Sequence, residues 1–181
     1  MYSADYLAAA SQIPALIRNI AIVGNLHHGK TLLADMVYKQ THYAPKGAKS
    51  WDTTKEYKFT DNRQDEIDRQ ISMKSSPLTV LLPDSRGKNY LFNFMDTPGH
   101  PAFCDEVTVG MRLSDSVLLV VDCVEGVTLF VEKLAKEAMR ARMPIICVIN
   151  KLDRLVLELK LPPTDAYFKI KHTIDEINLV I

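Results

Sequence analysis

The run Gly24-Asn25-Leu26-His27-His28-Gly29-Lys30-Thr31 has the composition of a loop that closes around an anion. Its framing glycines let backbone N–H groups turn inward toward phosphate oxygens, and a helix starting at its end adds a favourable field for negative charge. In such a loop Lys30 meets the β- and γ-phosphates and the Thr31 hydroxyl ligates Mg²⁺. Further on stands Asp96-Thr97-Pro98-Gly99-His100. An acid at a strand end can hold Mg²⁺ through water, and Gly99 brings its N–H close to a γ-phosphate because no Cβ intervenes. His100 follows directly, where it can orient a water for hydrolysis. The third segment is Asn150-Lys151-Leu152-Asp153. The Asp153 carboxylate can accept from both N1–H and N2–H₂ of guanine, whereas adenine has no such donor pair and would leave the acid unpaired. The Lys151 stem can lie over the base, and Asn150 can tie its strand end to the phosphate loop. Taken singly, each segment also reads as an ordinary polar turn. In this order they point to GTP with Mg²⁺ and away from a small-molecule kinase, for which no arginine-rich lid is present.

These loops need a sheet to hold them. Residues 20–23 are apolar and β-branched and stop at Gly24, as a buried strand would. Residues 32–40 read as a helix. Residues 76–82 and 89–95 read as strands joined by Pro83-Asp84-Ser85-Arg86-Gly87-Lys88, which has hairpin chemistry. Residues 117–121 and 145–149 are continuous apolar runs that predict buried strands, with Cys123 and Cys147 as packing residues. Residues 129–142 predict a helix with Leu129, Leu134, Ala138 and Ala141 on one face. After Pro162-Pro163, Thr164 or Asp165 is expected to cap a last helix with apolar positions at Tyr167, Ile170, Ile174, Ile177 and Ile181. Residues 1–13 predict a short amphipathic helix ended by Pro14, and residues 41–70 carry no sustained period. The expected fold is α/β with a mostly parallel central sheet, one antiparallel edge hairpin and flanking helices. The expected division is a helical extension over 1–17 and a nucleotide-binding domain over 18–181.

Composition limits the alternatives. The chain has 181 residues, with 22 Lys+Arg balancing 22 Asp+Glu. Zero net charge argues against a broad basic face for nucleic acid, and residues 46–58, although lysine-rich, read as a solvated face with Asp52 and Glu56 interspersed. The longest uncharged apolar run, residues 143–149, falls far short of the roughly 20 residues that span a bilayer. Three scattered cysteines suit a reducing compartment. His27, His28, His42 and His172 have no partners at metal-ligand spacing.

Together the three segments resemble the translation-factor class of GTPases, the group that includes elongation factor G. Two histidines before Gly29-Lys30-Thr31, and Asp96-Thr97-Pro98-Gly99-His100 in place of a plain DxxG, carry that resemblance. Three stretches look closer to its spliceosomal U5 small nuclear ribonucleoprotein (snRNP) branch. They are Gly24 to His28, Ile71-Ser72-Met73-Lys74-Ser75-Ser76-Pro77, and Asp153-Arg154-Leu155 through Glu158-Leu159-Lys160-Leu161-Pro162-Pro163-Thr164-Asp165-Ala166-Tyr167. The resemblance implies the G-domain form of the phosphate-loop NTPase fold, GTP or GDP with Mg²⁺ as ligands, and a nuclear role in pre-mRNA splicing. It also implies a large scaffold protein and an RNA helicase of the U5 particle as partners, with RNA association indirect, no membrane, and further C-terminal domains. The alternatives in the same class are a GTP-bound module that does not hydrolyse its nucleotide and a ribosome-maturation GTPase, which shares Lys74-Ser75-Ser76 and Glu158-Leu159-Lys160.

The chain departs from the class at several points. His27 stands where an Asp that helps hold a monovalent cation is usual. Ser72 replaces the threonine that closes on Mg²⁺, and Gln70 replaces a glycine two residues earlier. The Ser-Ala segment that contacts the guanine O6 edge is absent after Asp153, so the domain reads as truncated before it. The apolar last helix is then expected to dock on structure outside this chain.

Overall fold

The described residues of a computed structural model are 4–41, 59–60 and 63–181; His42 and the stretch 46–58 lie outside them. Helix α1 (Ala4–Ser11) and a single 3-10 turn at Pro14–Leu16 lead into strand β1 (Ile17–Gly24). Helix α2 (Lys30–Thr41) follows the phosphate loop, and a short helix α3 (Gln64–Arg69) precedes strands β2 (Ser76–Pro83) and β3 (Asn89–Asp96). Then come α4 (Cys104–Arg112), β4 (Ser116–Asp122), α5 (Leu129–Arg140), β5 (Ile145–Asn150), α6 (Asp153–Leu157) and α7 (Pro163–Val180).

The five strands lie in the order β2-β3-β1-β4-β5, and only the β2–β3 pair is antiparallel. Strand side chains alternate between the two faces, and β1 and β4 use that alternation to feed two cores. Ala21 and Val23, with Val117, Leu119 and Val121, pack with Val107 and Met111 of α4, Phe130, Val131, Leu134, Ala135 and Ala138 of α5, and Ile177 of α7. Ile22 and Val120 point the other way, onto Ala34 of α2 with Leu78 and Val80 of β2. Both central strands are covered on both faces, which is why they read as unbroken apolar runs and not as alternating ones. The β2–β3 turn is held by the Asp84 carboxylate, which accepts from the Arg86 N–H at 2.7 Å and the Lys88 N–H at 2.9 Å.

Several expectations change. Strand β5 is an edge strand, and Ile146 and Cys147 on it are exposed, so Cys147 is no packing residue. A continuous apolar run does not distinguish a central strand from an edge strand. The buried face of α5 is Phe130, Val131, Leu134, Ala135 and Ala138; Leu129 is 86% exposed and Ala141 is exposed as well. Leu129 lies on the first turn, outside the stripe that meets the sheet. Neither Thr164 nor Asp165 caps α7: its N-cap is Pro162 with no side-chain bond, and Pro163 takes the first helical position, where its missing N–H costs nothing. On α7 Thr173 and Ile177 are buried, whereas Tyr167 and Ile174, and Ile181 just past its end, are exposed. Helices α3, α4 and α6 have no counterpart in the sequence reading.

Candidate functional site

The three parallel neighbours β3, β1 and β4 deliver their C-terminal ends to one edge of the sheet, and β5 adds Asn150 beside them. Because β2 runs the other way, its first residue pairs with the last residue of β3, Ser76 opposite Asp96. The chain entering β2 therefore arrives at the same edge. An open cavity of about 340 Å³ lies there, lined by Leu26, His27, Gly29, Lys30 and Thr31 of the loop, by Gln70, Ile71 and Ser72 from before β2, and by Gly99 and Lys151. Leu32, Asp35 and Lys39 of α2 complete its wall.

Two glycines are dictated by crowding. A Cβ on Gly99 would stand 2.3 Å from the Lys30 ammonium nitrogen and 2.8 Å from the Asn25 carbonyl oxygen, so only glycine lets these three parts meet. Gly29 has φ +90°, and a Cβ there would stand 2.4 Å from the Asn150 amide nitrogen. That amide donates to the His28 carbonyl at 2.9 Å, so Asn150 ties the end of β5 to the phosphate loop. Lys30 is buried, and its ammonium donates to the Asn25 carbonyl at 2.8 Å across the loop.

The three residues read as magnesium ligands converge. The Thr31 hydroxyl donates to Asp96 Oδ2 at 2.7 Å and lies 3.1 Å from the Ser72 hydroxyl. Two hydroxyls and a buried carboxylate form an all-oxygen set, which suits a hard divalent cation such as Mg²⁺. The Ser72 hydroxyl thus reaches this set directly. Beside Asp96, the buried Thr97 hydroxyl donates back to the Ile22 carbonyl at 2.7 Å and fixes the end of β3 against β1.

Gly24, Asn25, His28, Asp96, Asn150, Asp153 and His100 do not line the cavity itself. His28 is fully buried behind the loop. Asp153 is the exposed first residue of α6, two positions after cavity-lining Lys151. His100 precedes the turn Pro101–Phe103, its Nδ1 accepts the Ala102 N–H at 3.1 Å, and its ring lies 5.9 Å from that of Phe103.

Sequence reasoning missed the groups that hold these segments. Asp122, at the end of β4, has no exposed surface. Its Oδ2 accepts from the Arg154 guanidinium at 2.6 Å and lies 3.4 Å from the Lys151 ammonium; its Oδ1 accepts the Val124 and Glu125 N–H groups. Burial pushes this carboxyl up, but the Val124 N–H, the Arg154 guanidinium and the Glu125 N–H together outweigh burial and hold it below its ordinary 3.8. The signal was available, since Asp122 ends an apolar strand as Asp96 does. Glu66 of α3 is also buried, and its Oε1 accepts the Met73 and Lys74 N–H groups at 2.8 and 2.9 Å. Lys74 then reaches Glu106 of α4 at 2.8 Å and holds that carboxyl below the usual range. The segment carrying Ser72 is thus pinned on both sides. No local pattern marks Glu66 or Glu106.

Residues 15–179 match the family model described as the elongation factor Tu GTP binding domain. The chain belongs to that family. Within this GTP-binding-domain family it is 49% identical over 177 residues to a 110 kDa U5 small nuclear ribonucleoprotein component, CLO, of Arabidopsis thaliana, covering 97% of this chain and 18% of that protein. It is 45% identical to the pre-mRNA-splicing factor cwf10 of Schizosaccharomyces pombe, over 90% of this chain and 16% of that one. It is 44% identical to the pre-mRNA-splicing factor SNU114 of Saccharomyces cerevisiae, over 98% and 18%. The chain therefore spans less than a fifth of the length of these curated relatives. A crystal structure of a Thermus thermophilus protein superposes with a TM-score of 0.63 at 24% identity, over 77% of this chain and 20% of that one, and so shares the fold. Among the described residues, no helix is long and apolar enough to cross a membrane.

Proposed function

We propose that this chain is the guanine-nucleotide domain of an elongation-factor-like GTPase of the U5 snRNP, acting in the nucleus in pre-mRNA splicing as a GTP-dependent regulator of spliceosome remodelling. The observation that carries the nucleotide reading is the meeting of Thr31, Ser72 and Asp96 within 3.1 Å beside a cavity walled by Lys30 and Gly99. The splicing reading is carried by the identities to splicing factors over nearly the whole chain. A U5 scaffold protein and an RNA helicase are the partners this reading names.

The loop N–H groups and Lys30 bind and orient the phosphates. Thr31, Ser72 and Asp96 would hold Mg²⁺, which when bound neutralises charge on the β- and γ-phosphates. Asp153 reads the guanine edge, with the Lys151 stem beside the base. His100 acts on the attacking water. Its Nδ1 already accepts the Ala102 N–H, so the neutral ring carries its hydrogen on Nε2. In that form His100 donates to the water or to a γ-phosphate oxygen and orients it; it does not take up the water's proton.

Single-turnover hydrolysis of GTP preloaded on the full-length protein with Mg²⁺ tests this. Unassisted phosphate-loop GTPases run at roughly 10⁻⁴ to 10⁻² per second, so the reaction is followed for a day. Wild type converts GTP to GDP, His100→Ala slows this at least about tenfold, and His100→Gln, which keeps an N–H donor near the Nε2 position, loses less. GTP retained by wild type and variants alike would instead favour a nucleotide-stabilised module. Equal turnover in all three would remove His100 from the mechanism.

A further inference from the structure

His28 sits in the middle of the phosphate loop, yet its side chain takes no part in the cavity. His27 before it and Gly29 after it line the cavity; the His28 ring is turned behind the loop and has no exposed surface. A buried imidazole needs partners, and it has them on a different part of the chain. Its Nε2 lies 3.0 Å from Glu125 Oε2, in the loop between β4 and α5. Its Nδ1 lies 3.3 Å from the Asp122 N–H and 3.2 Å from the Val120 carbonyl oxygen.

A carboxylate only accepts, so Nε2 carries a hydrogen toward Glu125. Nδ1 faces both the Asp122 N–H and the Val120 carbonyl, so both ring nitrogens are partnered on the β4 side. Glu125 is itself held in place, because its N–H and that of Val124 bond to Asp122 Oδ1. The His28 carbonyl meanwhile accepts the Asn150 amide at 2.9 Å. One residue thus joins the phosphate loop to the end of β4 through its ring and to the end of β5 through its backbone.

We propose that Glu125, acting through the His28 ring, is a positioning residue for nucleotide binding: the pair holds the phosphate loop in its phosphate-accepting shape. This rests on reading the cavity as a GTP site. A loop built to aim N–H groups at phosphate must resist collapse when empty, and prior fixation of this kind raises affinity by lowering the ordering cost on binding. Neither side chain touches the nucleotide in this role.

The test is equilibrium binding of GTP and GDP, with Mg²⁺, to the full-length protein. Glu125 is 41% exposed and lies in a loop, so Glu125→Ala folds even if His28→Ala does not. Glu125→Ala weakens both nucleotides roughly tenfold, the scale of one hydrogen bond to a charged group. His28→Ala weakens them at least as much, and the double variant is no worse than His28→Ala because both remove one link. His28→Gln, whose amide nitrogen can take the place of Nε2, restores most of the loss; a role in packing alone would not be rescued this way. Wild-type binding that Glu125→Ala leaves within about twofold overturns the role given to the pair. Absence of any GTP binding by wild type overturns the nucleotide reading itself, and this inference with it.

Discussion

Asp122 holds Arg154 and Lys151 by one oxygen and two backbone N–H groups by the other, while wholly buried. Arg154 adjoins Asp153, and Lys151 lines the cavity, so Asp122 sets the position of the segment from Asn150 to Arg154. Its folded-state acidity is stronger than its ordinary 3.8, so its ionised form is favoured by folding. That contribution is complete above its unfolded value, near pH 4, and is lost as the pH falls through the lower folded value. Asp122→Asn is expected to cost about 2 kcal/mol near pH 7, because it leaves the Arg154 charge poorly paired. The difference between wild type and variant should shrink below pH 4. Urea unfolding at a series of pH values measures this; a difference that stays constant down to pH 2.5 would remove the carboxylate as its cause.

At the scale of elements, the segment that carries Ser72 enters the site through an unusual corner. Gln70, the C-cap of α3, has φ 55° and ψ 35°, the left-handed conformation that glycine adopts with least strain. The relief from replacing it exceeds the extra chain entropy of glycine, so Gln70→Gly is expected to stabilise the protein by about 0.5–1 kcal/mol. A denaturant midpoint that falls in this variant would show that the Gln70 side chain does more than fill the corner. This corner also marks what a sequence can disclose. The departure from glycine at 70 was visible, but not that the backbone keeps the glycine conformation. The strands β1 to β5 and the hairpin were legible because each is a local pattern. Helix α3 is six residues long and gains its place from Glu66 gripping Met73 and Lys74. Helix α4 presents only Val107, Gly110 and Met111 inward. Neither has a stripe long enough to read. The pairs His28–Glu125 and Asp122–Arg154 join residues 97 and 32 positions apart, and no spacing rule reaches that far.

At the scale of the molecule, the sheet gathers the cavity-lining segments at one edge, while apolar side chains stay exposed on the last helix and on the edge strand β5. Tyr167, Phe168, Ile174, Leu179 and Ile181 of the last helical stretch are exposed, as is Ile146 of the edge strand β5. The 181-residue chain on its own is expected to enhance the fluorescence of a hydrophobic dye, and the double change Phe168→Ser, Leu179→Ser to lower that signal by about half without unfolding the chain. Dye binding unchanged by the pair would place the sticky surface elsewhere.

The antiparallel course of β2 has a practical sequel. The strand has eight residues, at roughly 3.3 Å each, so its turn with β3 lies about 25 Å from the cavity edge of the sheet, at the opposite pole. Arg86 in that turn is exposed, and a Cβ at neighbouring Gly87 would meet nothing within 4 Å among the described residues beyond those adjoining it in the chain. Residue 86 is therefore a natural attachment point for a surface tether or optical reporter, leaving the cavity facing the bulk solution.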